Sequence, residues 1–154
     1  MKNILLPLII GSGTFFYTQF LTLRKNVKVR ILNAGIDSNK TMAANFDKLH
    51  LFLQIEFFNP TLINFQLKDL VLNFKLAEIN LGNAYKTNVD ILKSKTTKII
   101  KIEISLNTRS IKTALGRIVK NFFLGTPLIL KIEGQVNTNF GELPINERVN
   151  INAA

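Results

Sequence analysis

Catalysis needs particular side chains, and this chain of 154 residues is short of them. It has no cysteine, which removes disulfides, thiolate nucleophiles and Cys-based zinc sites. Its one histidine, His50, removes any site that needs two imidazoles. His50 falls on the polar side of an alternating apolar run. A base there would need an orienting carboxylate and a nucleophile, and no partner set is recognisable. Asp47 and Glu56 lie near it in the chain, but their spacing marks no catalytic pair. The ten acids are scattered singly, whereas a hard cation needs several clustered oxygens. Gly11 and Gly13 are a fragment of a phosphate loop, with Phe16 where a third glycine belongs and no strand before them. Asn39-Lys40-Thr41 is a glycosylation sequon, informative only on a secretory route. No catalytic residue, metal, cofactor or small-molecule substrate is expected, and the chain reads as a non-enzyme.

Charge offers the only other chemistry. Lysine and arginine outnumber acids 20 to 10, giving +10 and a pI near 10.0, a balance that favours anionic partners. Lys93, Lys95, Lys98 and Lys101 form the densest group, on a turn running into a strand. Lys112, Arg117 and Lys120 add charge on one face of a helix. These seven are the candidate anion-contacting surface, for lipid head groups or for nucleic acid. Single strands would also want exposed aromatics for stacking. Most of the twelve phenylalanines instead fall in apolar patterns, tryptophan is absent, and Tyr17 and Tyr85 are the only tyrosines. The plainer reading is a solvated basic face that keeps an apolar sandwich soluble.

The elements that would position these residues begin after an apolar segment. Ile4 to Leu23 holds no charge over twenty positions, and a helix of that length spans about 30 Å, the hydrocarbon thickness of a bilayer. Arg24, Lys25, Lys28 and Arg30 follow at once, so the positive-inside rule leaves the rest of the chain cytoplasmic if the segment is an anchor. Ile4, Leu5, Leu8, Ile9, Phe15, Phe16, Phe20 and Leu21 would then meet lipid. A cleaved signal peptide fits Ile4 to Ile10 followed by Gly11, Ser12 and Gly13, but the apolar stretch continues past that point. The third reading is an arm that docks into a partner protein of a larger assembly. Residues 1–25 are thus one unit and 26–154 a second, globular one.

From Val27 the period becomes two. Val27, Val29 and Ile31 alternate with Lys28 and Arg30, and the polar stretch Leu32 to Asn45 reads as a loop or an irregular edge. Leu49, Leu51, Leu53, Ile55 and Phe57 give the clearest strand, ended by Pro60, which restricts Asn59 and cannot donate to the ladder. Leu70 to Leu76 is the next strand. Ile79 and Leu81 lead to a turn at Gly82 and Asn83. Ile100 to Leu106 and Leu128 to Ile132 follow, the latter ending before Gly134. Leu143, Ile145, Val149 and Ile151 suggest a closing strand pair or one strand bent at Pro144. Ile111, Ala114, Leu115, Ile118 and Phe122 recur at helical spacing, with Thr108 or Ser110 to cap the start and Gly125 and Pro127 to stop it. About seven strands and one short amphipathic helix predict an all-β chain, an antiparallel β-sandwich of immunoglobulin or fibronectin III type. Leu51, Leu53, Ile55, Leu72, Phe74, Ile102, Ile104, Leu130 and Ile132 should share its core.

The run from Leu51 to Thr61, an alternating strand ending in Asn59-Pro60, resembles the signature strand of the late embryogenesis abundant group 2 family, which overlaps the WHy (water stress and hypersensitive response) domain. The order of later features is similar as well. Leu67 and Leu70 open the next strand, a glycine follows Ile79 at Gly82, and Ser94, Thr96 and Thr97 lead into Ile99 to Leu106. A helix then ends at Gly125-Thr126-Pro127, and Pro144 follows Leu143. The resemblance covers roughly Val27 to Ile151. It implies a β-sandwich without known catalysis that protects or contacts other macromolecules under stress. The expectation is a membrane-associated, stress-protective binding module with its sandwich in the cytoplasm. A structural component of a virion or secretion-type machine, docked through residues 1–23, is the alternative, and a basic anion- or nucleic-acid-binding module is the third.

Overall fold

The computed structural model describes residues 26–153. The docking residues Ile4 to Leu21, with Arg24 and Lys25, lie outside the described residues. Two sheets pack face to face. One is ordered β5-β2-β1-β8 and the other β4-β3-β6-β7. The strands are β1 (Lys28–Ile36), β2 (Lys48–Phe58), β3 (Phe65–Leu76), β4 (Ile79–Leu92), β5 (Thr97–Asn107), β6 (Ile129–Thr138), β7 (Gly141–Asn150) and the two-residue β8 (Asn152–Ala153). The fourth strand pairs with the third instead of joining the β5-β2-β1 sheet, which departs from the four-plus-three arrangement of an immunoglobulin constant domain. All pairings are antiparallel except β1 with β8. The predicted antiparallel sandwich is present.

The period of two does what it predicts along β2. Leu49, Leu51, Leu53, Ile55 and Phe57 are buried, while His50, Phe52, Gln54, Glu56 and Phe58 face outward and are half-buried. All nine residues expected to share the core belong to one buried cluster, joined by Phe65, Leu67, Leu76 and Leu92.

Three local expectations need correction. The stretch after Leu32 is not a loop: β1 runs to Ile36, with a register shift between Ile31 and Asn33. Ile31, Ala34 and Ile36 all point inward, so the extra residue breaks the alternation that makes a strand legible. Beyond it a second helix, α1 (Ser38–Ala43), starts on an Asp37 cap whose carboxylate accepts from the Lys40 amide at 3.0 Å. The turn expected at Gly82-Asn83 lies earlier, at Ala77 and Glu78, both at positive φ as a two-residue hairpin of this twist demands. Gly82 sits within β4 at φ +119 beside a register shift, and the strand continues to Leu92. Strand β6 also runs through Gly134 to Thr138. Of the two forms expected for the closing segment, Leu143, Ile145 and Val149 take the single strand, β7, with Pro144 exposed on its edge.

The predicted helix is α2 (Lys112–Phe123), preceded by a 3-10 turn over Arg109–Ile111. Leu115 and Val119 are buried in the core cluster. Neither Thr108 nor Ser110 caps it, for its N-cap is Ile111 and makes no side-chain bond. Thr108 is itself buried and donates its hydroxyl to the Phe46 carbonyl at 2.8 Å, tying the exit of β5 to the loop after α1. Gly125 stops α2 as expected. At φ +93 its amide reaches the Phe122 carbonyl and the Thr126 amide reaches Asn121, which closes two of the helix's last carbonyls.

Candidate functional site

Asn59, which the sequence reads as a turn residue before Pro60, sits where two loops meet. It is fully buried. Its amide nitrogen donates to the Ile63 carbonyl at 2.8 Å and the Lys93 carbonyl at 3.0 Å, with Leu92 at 3.4 Å. Its oxygen accepts from the Thr61 amide at 3.0 Å and the Thr61 hydroxyl at 2.7 Å. Both donors and both lone pairs of the side chain are therefore engaged. The backbone joins in, since Asn59 donates to Thr96 and Lys95 donates to Thr61. The Lys95 ammonium also donates to the Pro60 carbonyl, and the Ser94 amide to Asn64 Oδ1 at 2.7 Å. The loop between β2 and β3 is thus stapled to the turn between β4 and β5, across the two sheets. Asn59-Pro60 is structural, as its type and position suggest. Thr61, which completes the network, was not singled out in the sequence for a role of its own.

The seven basic residues do not share one face. Lys93 and Lys95 lie on the stapled turn and Lys98 pairs opposite Phe57, all at the Asn59 end. Lys101 is opposite Gln54, halfway along β2. Lys112, Arg117 and Lys120 belong to α2, reached from the Asn107 end of β5, which pairs with Lys48. Eleven residues of β2 separate the two ends, roughly 36 Å of extended strand. Several of these charges are already engaged. Lys98 pairs with Asp90, whose carboxyl it holds below the ordinary range, and Lys112 pairs with Asp47 at 3.0 Å. Lys93, Lys101, Arg117 and Lys120 are exposed.

His50 is half-buried and lines a shallow cleft of about 390 Å³ with Asp37, Lys40, Phe52, Glu103 and Ser105. Lys40 bridges Asp37 at 3.2 Å and Glu103 at 3.4 Å, which raises the Lys40 pKa and, with the Lys40 amide contributing most, lowers that of Asp37. Both acids of the cleft thus pair with Lys40. The sequon threonine, Thr41, is buried, and its hydroxyl accepts from the His50 amide at 3.1 Å, so it holds α1 against β2. Among the described residues no group of three metal-ligating side chains occurs, and no helix is long and apolar enough to cross a membrane.

No protein-family model and no curated protein matches the sequence. Solved structures do. The solution structure of an Arabidopsis thaliana protein superposes with a TM-score of 0.61 at 13% identity, over 82% of this chain and 82% of that one. The solution structure of a candidate late embryogenesis abundant protein gives a TM-score of 0.52 at 10% identity, over 97% of this chain and 84% of that one. The resemblance read from the Asn59-Pro60 strand is borne out in the fold: this chain carries a β-sandwich similar to that of a candidate late embryogenesis abundant protein.

Proposed function

We propose that the chain is a non-catalytic, stress-protective binding module, tethered to a membrane by its N-terminal segment with the sandwich on the cytoplasmic side. The observation that carries the tether is where the chain enters the fold. Lys28 pairs with Phe58, so the polypeptide leaves the sandwich at the Asn59 end. That end also carries Leu62, 62% exposed, and the cations Lys93 and Lys95. An uncharged segment of twenty residues leading to this end, with Arg24 and Lys25 at the junction, supports an orientation that turns the stapled loops toward anionic lipid. The similarity in fold to a candidate late embryogenesis abundant protein supports the protective, non-enzymatic part.

Fractionation of the tagged full-length chain, with mass spectrometry of what accompanies it, tests the reading. The expected result is a membrane pellet released by detergent. Binding of the sandwich to anionic vesicles should be weak and fall steeply between low and moderate salt, and Lys93→Glu with Lys95→Glu should weaken it further. A stoichiometric protein partner in place of lipid would favour a component of a larger assembly. Tight, sequence-selective nucleic-acid binding at physiological salt would favour the third reading.

A further inference from the structure

We infer that the outer edge of β5 is a self-association surface, where a second copy of this chain adds its own β5 antiparallel to the first. A strand at the end of a sheet leaves a row of backbone donors and acceptors unpaired, and proteins blunt such edges with bulges, prolines or short covering strands. Three of the four sheet ends here are blunted. Strand β8 covers Gly35 and Ile36 of β1, whose remaining edge is kinked by the Ile31/Asn33 shift. Strand β4 has two register shifts against β3 and a positive φ at Asn88. Strand β7 carries Pro144. Strand β5 has neither device: it pairs with β2 over eleven consecutive residues without a shift and contains no proline. Its buried side is also incompletely covered. Ile100, Ile102 and Ile104 each retain 7% exposure, against 2%, 1% and 0% for Leu51, Leu53 and Ile55 on the neighbouring strand.

Charge then selects the occupant and its register. In a symmetric antiparallel pair whose buried faces lie on the same side, the two-fold axis passes through one residue of each strand. An axis at Lys101 sets lysine against lysine, and one at Glu103 sets glutamate against glutamate. An axis at Ile102 sets Lys101 against Glu103 of the second copy, twice over by symmetry. It also places Ile100 against Ile104 of the second copy, and Ile102 against itself. Opposite charges directly across a pair of strands attract and like charges repel, so the sequence Lys101-Ile102-Glu103 is complementary to itself in this register alone of the three. Glu103 is 82% exposed and lies 3.4 Å from Lys40, which leaves the carboxylate open to a second cation. The product is one continuous sheet through both molecules.

The test is sedimentation equilibrium of the full-length chain in density-matched mild detergent, on wild type, Lys101→Glu, Glu103→Lys and the double variant. Circular dichroism should show each variant folded, since both side chains are exposed. Each single reversal acts at two symmetric contacts and should weaken association by about tenfold or more. The double variant rebuilds both pairs with signs exchanged and should return to within about threefold of wild type, a threefold change in the constant being about 0.7 kcal/mol. Hydrogen exchange at β5 should slow as protein concentration rises. Three outcomes would overturn the inference: a wild type that stays monomeric at the highest soluble concentration, single reversals that leave association unchanged, or a double variant no better than the singles. Association through residues 1–25 would give the second of these.

Discussion

Asn59 is a single residue on which two connections of the fold depend. An asparagine with no exposure has to spend every hydrogen-bonding group on protein, and this one meets Ile63, Lys93 and Thr61 at 2.7–3.0 Å. Asn59→Ala would remove all five of these side-chain hydrogen bonds at once, leaving the Thr61 amide without its acceptor and the Leu92 carbonyl without this donor. That costs about 1–3 kcal/mol for each orphaned group, so roughly 3 kcal/mol should be lost in urea unfolding. Asn59→Asp should cost at least as much despite its near-identical shape, because a carboxylate oxygen would face two carbonyl oxygens. If the aspartate variant proved as stable as wild type, the staple would not be what holds the loops. The type and place of Asn59 were readable in advance, since asparagine before proline bonds to turn backbone. Its partners Lys93 and Thr96 were not, for they are brought there by the pairing of β5 with β2.

At the scale of elements, spacing was readable wherever one strand held one parity. β2 and β5 do so over their whole length, and both were anticipated. β1 and β4 contain register shifts, and their second halves were missed for that reason. Gly134 is an instructive case. As a sequence signal it reads as the end of a strand, yet it lies inside β6, between Leu72 on β3 and Ile145 on β7. A Cβ there would meet the Val71 carbonyl oxygen at 2.0 Å and the Leu72 Cα at 3.0 Å. Backbone cannot yield as a flexible side chain would. Gly134→Ala should therefore cost about 3 kcal/mol or more by thermal or urea unfolding, whereas alanine is an ordinary strand residue elsewhere. An alanine variant of unchanged stability would show that β3 and β6 do not approach this closely.

The whole molecule responds to pH through its engaged carboxylates. Asp90 is lowered first by the Lys98 side chain, Glu133 by Lys131 and Asp37 by the Lys40 amide. A group whose folded pKa lies below its unfolded value stabilises fully above the unfolded value, and that gain vanishes as pH falls through the folded one. Stability should thus change little between about pH 7 and pH 5 and decline below about pH 4, the ordinary carboxylate range. Urea midpoints across that range would show it, and Asp90→Asn should flatten part of the slope. The size is modest because the pairs are solvent-screened.

The N-terminal segment gives the other whole-molecule expectation. The strand pattern begins at Val27, and β1 opens at Lys28. A chain starting near Asn26 should fold with its stability largely intact, while the full-length chain should require membrane, detergent or a partner. Ile9→Lys with Leu21→Asp should abolish that requirement, because charge in an apolar environment is costly. An unfolded truncation would mean that residues before Asn26 complete the core.

What the sequence determined by itself was local and periodic. It set the strands of constant parity, the amphipathic α2 with its Gly125 stop, the Asn59-Pro60 corner, the apolar core set, and the lack of cysteine and of a second histidine. Those properties depend on neighbours within a few residues, so they survive without knowledge of the fold. Tertiary structure alone decided how surfaces assemble. It spread seven cations over the two ends and the middle of the sandwich, joined Asn59 to a turn more than thirty residues away, tied Asp37 and Glu103 to one lysine, and left β5 as an edge without bulge, proline or covering strand among the described residues. These outcomes follow from which strands pair and in what register, and pairing between distant segments leaves no periodic mark on either of them.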